Sequence, residues 1–210
     1  MRPSRRSFIQ VLSALSVFGM RTPNRRFVFV VNEIAEYEGL PTGSVESYAI
    51  HPVSGQRSLI SRRPLSLSAT MPRSLALAPD GSFMVVAAYG GGIYNVLPVS
   101  ANGEIGEVSQ ILKELGGSVH PERQTTSHPH SLVFHPSGRF MLATDLGADR
   151  ITTFKVSNGR IAPVAHVKTP PGSGPAELQM DASGSRVTVW HELKPAVAYY
   201  QFDAQLGRLS

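Results

Sequence analysis

Short apolar runs separated by turns recur along this chain in a fixed order. Pro72, Pro129 and Pro175 each introduce an apolar run, and a turn that contains Ser or Gly then leads into a second run. A third run and a further Gly-containing turn follow, and an outer run ends each of the first three units. Apolar runs bounded by such turns are typical of β-strands. The predicted second strands cover residues 27–31, 83–87, 140–144 and 186–190.

Four strands in each unit, with a repeat of about 50 residues, indicate the blades of a β-propeller. No helical periodicity interrupts the pattern after the N-terminal segment. A β-sandwich of unrelated hairpins is the alternative, but it gives no reason for a fixed order of strands and turns. The sequence therefore predicts an all-β protein, a β-propeller of four-stranded blades.

The repeat predicts about three and a half to four blades. The first unit lacks a run for its innermost strand, and the last unit reaches Ser210 before an outer strand. A propeller generally closes a ring of about four to eight blades, because an open arc exposes unpaired sheet edges. We therefore expect residues 23–210 to form part of a larger propeller.

One face of the predicted ring collects polar residues from all four units. The start of each innermost strand and the end of each second strand lie on this face, around the central channel. The antiparallel strands 131–135 and 140–144 bring His128 and His130 to the same end as Asp145 and Arg150. Other polar residues predicted on this face are Asn32, Glu33, Arg73, Tyr89, Glu177 and Glu192. Such a gathering predicts a functional site.

These side chains match the needs of hydrolysis at a carbonyl group. The reaction uses a base to activate water, and a positive group or hydrogen-bond donors for the developing oxyanion. His128 or His130 is a candidate base, because imidazole titrates near neutral pH. Glu192 is a candidate base or orienting partner. Arg123 or Arg150 is a candidate donor to an oxyanion, a carboxylate or a phosphate.

Structural roles are the alternative for several of these residues. Glu122 and Arg123 are neighbours in sequence, so an ion pair that orders their loop is an equally good interpretation. Asp145 and Arg150 are candidates for bracing the turn between their strands. The sequence contains no cysteine and no HExxH motif, so neither a metal site nor another cofactor is predicted.

The charge distribution argues against nucleic acid as a partner. The chain has 20 Lys and Arg residues against 15 Asp and Glu residues, which gives a net charge of +5. Six of the basic residues are arginines within the first 26 positions, where no acidic residue occurs. The remaining 14 basic and 15 acidic residues nearly balance, so the body lacks the basic surface that nucleic acid requires.

The N-terminal residues resemble an export signal. Arg5 and Arg6 precede the apolar run 11–20, as in twin-arginine signals, and this run is too short to span a bilayer as a helix. We therefore assign residues 1–22 to a leader that lies outside the fold and is recognised by the twin-arginine export machinery, without stable membrane insertion. The predicted location is periplasmic or exported, and a basic tail on a cytoplasmic protein is the alternative.

The segment 118–124, Ser-Val-His-Pro-Glu-Arg-Gln, is more specific than the turns that propellers share. Together with His-Pro-His-Ser at 128–131 and Asp-Leu-Gly-Ala-Asp-Arg at 145–150, it resembles the propeller-type lactonase family. That family includes 6-phosphogluconolactonases and carboxy-muconate cyclases. The resemblance covers residues 23–210 and implies a seven-bladed propeller, of which the first blade and the last two or three would be absent from this chain.

The resemblance also implies roles for individual residues. The family's catalytic histidine falls on His128 and its glutamate on Glu192, whereas an arginine of the family falls on Ala176. The expected substrate-binding residues are Glu122, Arg123, His130, Asp145, Arg150, Asn32 and Glu33. The expected function is hydrolysis of a small sugar-derived lactone, as by a 6-phosphogluconolactonase. A non-catalytic binding propeller, a decayed homologue and a muconate cycloisomerase are the alternatives.

Overall fold

The computed structural model of the protein describes residues 19–21 and 26–210, in which the regular elements are β-strands arranged as four antiparallel four-stranded sheets. Blade 1 comprises β1 (Gly19–Arg21), β2 (Phe27–Asn32), β3 (Ser44–Ile50) and β4 (Arg57–Pro64). Blade 2 comprises β5 (Pro72–Leu77), β6 (Phe83–Ala88), β7 (Ile93–Pro98) and β8 (Gln110–Lys113). Blade 3 comprises β9 (Pro129–Phe134), β10 (Phe140–Asp145), β11 (Arg150–Ser157) and β12 (Arg160–Lys168). Blade 4 comprises β13 (Pro175–Met180), β14 (Arg186–His191), β15 (Ala196–Asp203) and β16 (Arg208–Leu209).

The prediction of an all-β propeller with four-stranded blades is confirmed. Within each blade the strands pair in sequence order, from an innermost strand outwards. The described ranges contain no helix of the length and apolar character needed to cross a membrane.

The two end blades differ from the prediction. Blade 1 has an innermost strand, because β1 pairs with β2 in the register Gly19↔Val30 to Arg21↔Val28. Blade 4 has an outer strand, because β16 pairs with β15 through Phe202↔Leu209 and Asp203↔Arg208. The expectation that both were missing is wrong, since strands of two or three residues are too short to give an alternating pattern.

The predicted leader overlaps this first strand. β1 lies within residues 1–22, so three of the residues assigned to the leader pair with the propeller. The twin-arginine pair Arg5-Arg6 and most of the apolar run lie outside the described residues. The boundary at residue 22 and the export signal therefore stay predictions.

The apolar core lies between consecutive blades. In β6, Met84 and Val86 join residues of blade 1 in one buried cluster, whereas Val85 and Ala87 join residues of blade 3 in another. Successive side chains of a strand point to opposite faces, so a strand packed on both sides needs apolar residues throughout. This explains why β6 reads as a continuous apolar run.

A bulge follows the proline at the start of each inner strand of blades 2, 3 and 4. In blade 2, Pro72 pairs with Ala88 and Ser74 with Ala87, so Arg73 is the extra residue. His130 is the extra residue at the same place in blade 3, and in blade 4 the irregularity contains positions 176 and 177. A bulge re-aims the side chain that it carries. The bulges therefore set which side chains reach the end of the sheets where the site is predicted.

Candidate functional site

One end of blades 2, 3 and 4 carries a contiguous cluster of ionisable and aromatic side chains. The inner strands supply residues at their starts, and the second strands supply residues just beyond their ends, because antiparallel neighbours bring these points to one edge. The long loop between β8 and β9 completes the cluster. Its members are Arg73, Tyr89, Arg123, His128, His130, Glu177 and Glu192.

His130 lies at the centre of this cluster and is only 2% exposed. Its Nδ1 is 3.6 Å from Oε1 of Glu177, and its Nε2 is 3.6 Å from Oε2 of Glu192. Both distances are longer than a good hydrogen bond. Burial, with the nearby charge of Arg73, lowers the pKa of His130 to about 4, despite the opposing charge of Glu192. The imidazole is therefore neutral at neutral pH.

This neutral histidine makes stability depend on pH. The unfolded chain binds a proton on this residue below its usual pKa of about 6.5, whereas the folded chain does so only near pH 4, so acidification favours unfolding. We expect the contribution of His130 to lower the free energy of unfolding by about 2 kcal/mol between pH 7.5 and pH 5.

Urea unfolding of the wild type and of His130→Gln at both pH values measures this contribution. The free energy of unfolding of the variant should keep part of its pH dependence, because burial also lowers the pKa of His135 and of His191. Parallel pH dependences of the two proteins would contradict the assignment of a depressed pKa to His130.

Arg123 joins the loop to two blades. Its Nη2 donates to Oε1 of Glu192 at 2.7 Å, and its Nε and Nη2 lie 3.3 and 3.2 Å from the hydroxyl oxygen of Tyr89. The structure therefore differs from the alternative of an ion pair between Glu122 and Arg123, because Arg123 pairs with Glu192 of blade 4. Burial alone would raise the pKa of Glu192, but the hydrogen bond and charge of Arg123 lower it.

His128 is held in a defined orientation. Its ring stacks on that of Tyr89, with centroids 4.3 Å apart and an interplanar angle of 11°. Its Nδ1 lies 2.8 Å from the backbone oxygen of Tyr89. A carbonyl oxygen only accepts, so Nδ1 carries the hydrogen and, in the neutral ring, the lone pair is on Nε2. His128 thus presents a basic nitrogen whose position is fixed by its neighbour.

Asp145 supports His128 from behind. Its carboxylate is 1% exposed and accepts hydrogen bonds from the His128 backbone N–H at 2.7 Å, the Ser127 hydroxyl at 2.7 Å and the Ala148 N–H at 3.1 Å. Arg150 donates to it at 2.9 Å and also pairs with Glu114. Asp145 is thus enclosed behind His128, and its ion pair with Arg150 fits the alternative of bracing the turn between their strands. Contact of either residue with a substrate stays a prediction.

Three other predicted residues lie apart from the central pair of histidines. The side-chain amide of Asn32 donates to Ser44 and to Glu46 within blade 1, at 3.0 and 3.1 Å. Glu33 forms an ion pair with Arg73 at 2.9 Å. Glu122 is exposed, and its backbone N–H donates to Nδ1 of His120 at 3.3 Å. The structure therefore joins Glu33 to the cluster through Arg73, and it does not bring Asn32 or Glu122 to the histidines.

Four side chains that form or support the site were not among the predicted site residues. Tyr89, Arg73 and Glu177 were placed on the correct face, but nothing in their local sequence distinguishes them from solvated polar residues. Glu114 follows the outer strand β8, and its pairing with Arg150 carries no sequence signal at all. Ala176 is buried in the bulge of blade 4, where a methyl group gives the site no charge.

The cluster combines an oriented base with a guanidinium group on one surface. The two are linked by Tyr89, which stacks on His128 and accepts from Arg123. Such a combination suits attack of water on a carbonyl carbon, with charge developing on the carbonyl oxygen.

A family model described as "Lactonase, 7-bladed beta-propeller" matches residues 16–210. The chain therefore belongs to the seven-bladed β-propeller lactonase family, and the resemblance found in the sequence is confirmed. The chain is similar to the 6-phosphogluconolactonase of Bacillus subtilis, with 25% identity over 165 residues that cover 79% of this chain and 46% of that protein.

Other similar proteins agree with this assignment. The structure of the periplasmic gluconolactonase PpgL of Pseudomonas aeruginosa is 34% identical, with a TM-score of 0.82 over 92% of this chain and 55% of that one. An uncharacterized protein of Staphylococcus saprophyticus is 26% identical over 183 residues, which are 86% of this chain and 50% of that protein. The chain thus spans about half the length of the relatives that it matches.

Proposed function

We propose that this chain carries the site of a lactonase-family hydrolase that opens a sugar-derived lactone, in the manner of a 6-phosphogluconolactonase. The observation that supports this most is the fixed tautomer of His128, whose Nδ1–H is directed at the Tyr89 carbonyl and whose Nε2 is therefore the basic atom. Membership of the family and the names of the relatives point to the same substrate class.

In the proposed reaction, Nε2 of His128 accepts a proton from water as the water oxygen attacks the lactone carbonyl carbon. Negative charge develops on the carbonyl oxygen, where Arg123 stabilises it. Collapse of this tetrahedral intermediate breaks the ring C–O bond, and the imidazolium returns its proton to the leaving oxygen. The products are a hydroxy acid and the unchanged enzyme. Glu192 acts by holding Arg123, because its lowered pKa makes it a weak base.

Assay of the purified chain on D-glucono-1,5-lactone and 6-phospho-D-glucono-1,5-lactone tests the proposal. Titration of the acid released, above the spontaneous rate, is the measurement. Hydrolysis of either lactone supports a lactonase, and no acceleration by a folded protein on either one contradicts it.

A non-catalytic binding propeller is the second candidate. It is favoured by Ala176, which provides no cation where the resemblance implies an arginine. Binding of a lactone-like sugar acid with no turnover would select this candidate. Ring closure of a muconate would use the same acid–base groups without water, and no contact of the described residues favours it.

Export through the twin-arginine route is part of the proposal. Arg5-Arg6 before an apolar run supports it, as does the periplasmic location named for the Pseudomonas aeruginosa structure. We expect Arg5→Lys/Arg6→Lys to keep the full chain in the cytoplasm. Unchanged periplasmic delivery in cell fractionation would favour another export route, and a wild-type chain found in the cytoplasm would favour the cytoplasmic alternative.

A further inference from the structure

We propose that Glu177 makes this site select lactones that carry no phosphate or carboxylate group. The proposal rests on the lactonase function above, and it adds the charge of the substrate to it. The carboxylates of Glu177 and Glu192 and the guanidinium groups of Arg73 and Arg123 lie around the neutral imidazole of His130. Glu33 adds a third carboxylate through its ion pair with Arg73.

Both guanidinium groups of this set are already committed to carboxylates. Arg73 pairs with Glu33 at 2.9 Å, and Arg123 pairs with Glu192 at 2.7 Å. Arg150, at the start of β11, pairs with Asp145 and Glu114. Lys194, which follows Glu192 in the chain, donates to the Pro171 carbonyl oxygen at 2.7 Å. An anionic substituent would have to compete with these partners for its counter-charge.

Glu177 is the carboxylate that makes the net charge of the site negative. Its side chain is 50% exposed, and Oε1 lies 3.6 Å from Nδ1 of His130, so the charge faces both the cluster and the solvent. Burial raises the pKa of Glu177, whereas a hydrogen bond from the Ser131 side chain and the charge of Arg73 act to lower it, and Arg73 also pairs with Glu33. Counted with Glu33, which Arg73 joins to the cluster, the described groups comprise three carboxylates and two guanidinium groups, an excess of one negative charge.

The position of Glu177 follows from the fold. The bulges of blades 2 and 3 present Arg73 and His130, and the corresponding irregularity of blade 4 presents Ala176 and Glu177. Blade 4 thus contributes a methyl group and a carboxylate where the other blades contribute nitrogen donors. This blade repels an anionic substrate and accepts hydroxyl groups, for which a carboxylate is a good hydrogen-bond acceptor.

The magnitude is sufficient for selection. At about 6 Å and an effective dielectric constant of about 40, one pair of unit charges changes an equilibrium by about tenfold. A phosphate carries nearly two charges at neutral pH, so the effect on a phosphorylated lactone exceeds that on a monoanion. Ring opening also creates a carboxylate, which the same excess charge helps to expel as product.

The test compares kcat/KM for D-glucono-1,5-lactone and 6-phospho-D-glucono-1,5-lactone. The wild type should prefer the unphosphorylated substrate. Glu177→Gln should shift the ratio by about tenfold towards the phosphorylated one, and Glu177→Lys should shift it further. Glu107→Gln is the matched control, because Glu107 is an exposed carboxylate between β7 and β8, at the opposite end of the blade. A wild type that prefers the phosphorylated lactone, or an unchanged ratio in both Glu177 variants, overturns the proposal.

A binding measurement separates this proposal from the hydrolase function. Inorganic phosphate is titrated into each protein, with the imidazole signals of His128 and His130 followed by NMR. We expect no saturable shift in the wild type at millimolar phosphate and a saturable shift in Glu177→Lys. Equal binding by the two proteins overturns the selection by charge. Absence of lactone hydrolysis with the expected binding difference would instead refute the hydrolase function alone.

Discussion

His128→Ala is expected to lower kcat/KM for lactone hydrolysis by about 100- to 1,000-fold, the usual contribution of a positioned general base. The variant removes the basic Nε2, together with the hydrogen bond from Nδ1 to the Tyr89 carbonyl. The initial rate of acid release above the spontaneous reaction is the measurement. His51→Ala is the matched control, because His51 is exposed in the turn between β3 and β4, at the opposite end of the blade.

His128→Asn distinguishes the base from a merely structural residue. The amide nitrogen of asparagine occupies a place similar to Nδ1 and is able to donate to the Tyr89 carbonyl, but the side chain has no basic nitrogen. Activity should therefore stay as low as in His128→Ala, while the unfolding midpoint stays near that of the wild type. Substantial activity in His128→Asn would exclude His128 as the base and direct attention to His130 or Glu192.

Asp145→Asn is expected to lower the free energy of unfolding by about 3–5 kcal/mol, the cost of leaving one partner of a buried ion pair uncompensated. The carboxylate accepts from two backbone N–H groups, the Ser127 hydroxyl and Arg150. An amide carries less negative charge and turns one donor group toward these donors. Urea unfolding at pH 7.5 measures the loss.

Two further variants test this interpretation of Asp145. Asp80→Asn affects an exposed carboxylate that accepts from Ser82 in a turn, and it should cost less than about 1 kcal/mol. Arg150→Met combined with Asp145→Asn should cost less than the sum of the single variants, because the two residues share an ion pair. A cost for Asp145→Asn no greater than that for Asp80→Asn would contradict the role of a buried anchor.

The blades were predictable because their physical signal is local. Burial between two neighbours makes β6 and β10 apolar throughout, and Gly81 and Gly138 allow the left-handed backbone that the turns before them require. Ladder pairing then determines which strand ends share a face. The gathering of polar groups at one end of the sheets therefore follows from sequence order alone.

The partners within the site were not predictable in the same way. Arg123 has Glu122 beside it in the sequence, yet it pairs with Glu192 of another blade, because the loop folds across the end of the sheets. The contact between Asp145 and Arg150 was among the alternatives that the sequence offered, but the pairing of Arg150 with Glu114 joins the start of β11 to the end of β8 in the neighbouring blade, and no spacing reveals it. The partner of a long charged side chain depends on which groups are close in three dimensions, and local sequence patterns do not contain that information.

The unpaired residue of each proline bulge has a consequence for how such sites change during evolution. Because the extra residue lies outside the regular pairing of the ladder, a substitution there leaves the register of the strands intact. The bulge positions are thus able to exchange side chains without disturbing the pairing that holds each blade together. A substitution at position 73, 130 or 176 is thus expected to change the side chains presented at this end of the sheets, while the scaffold persists.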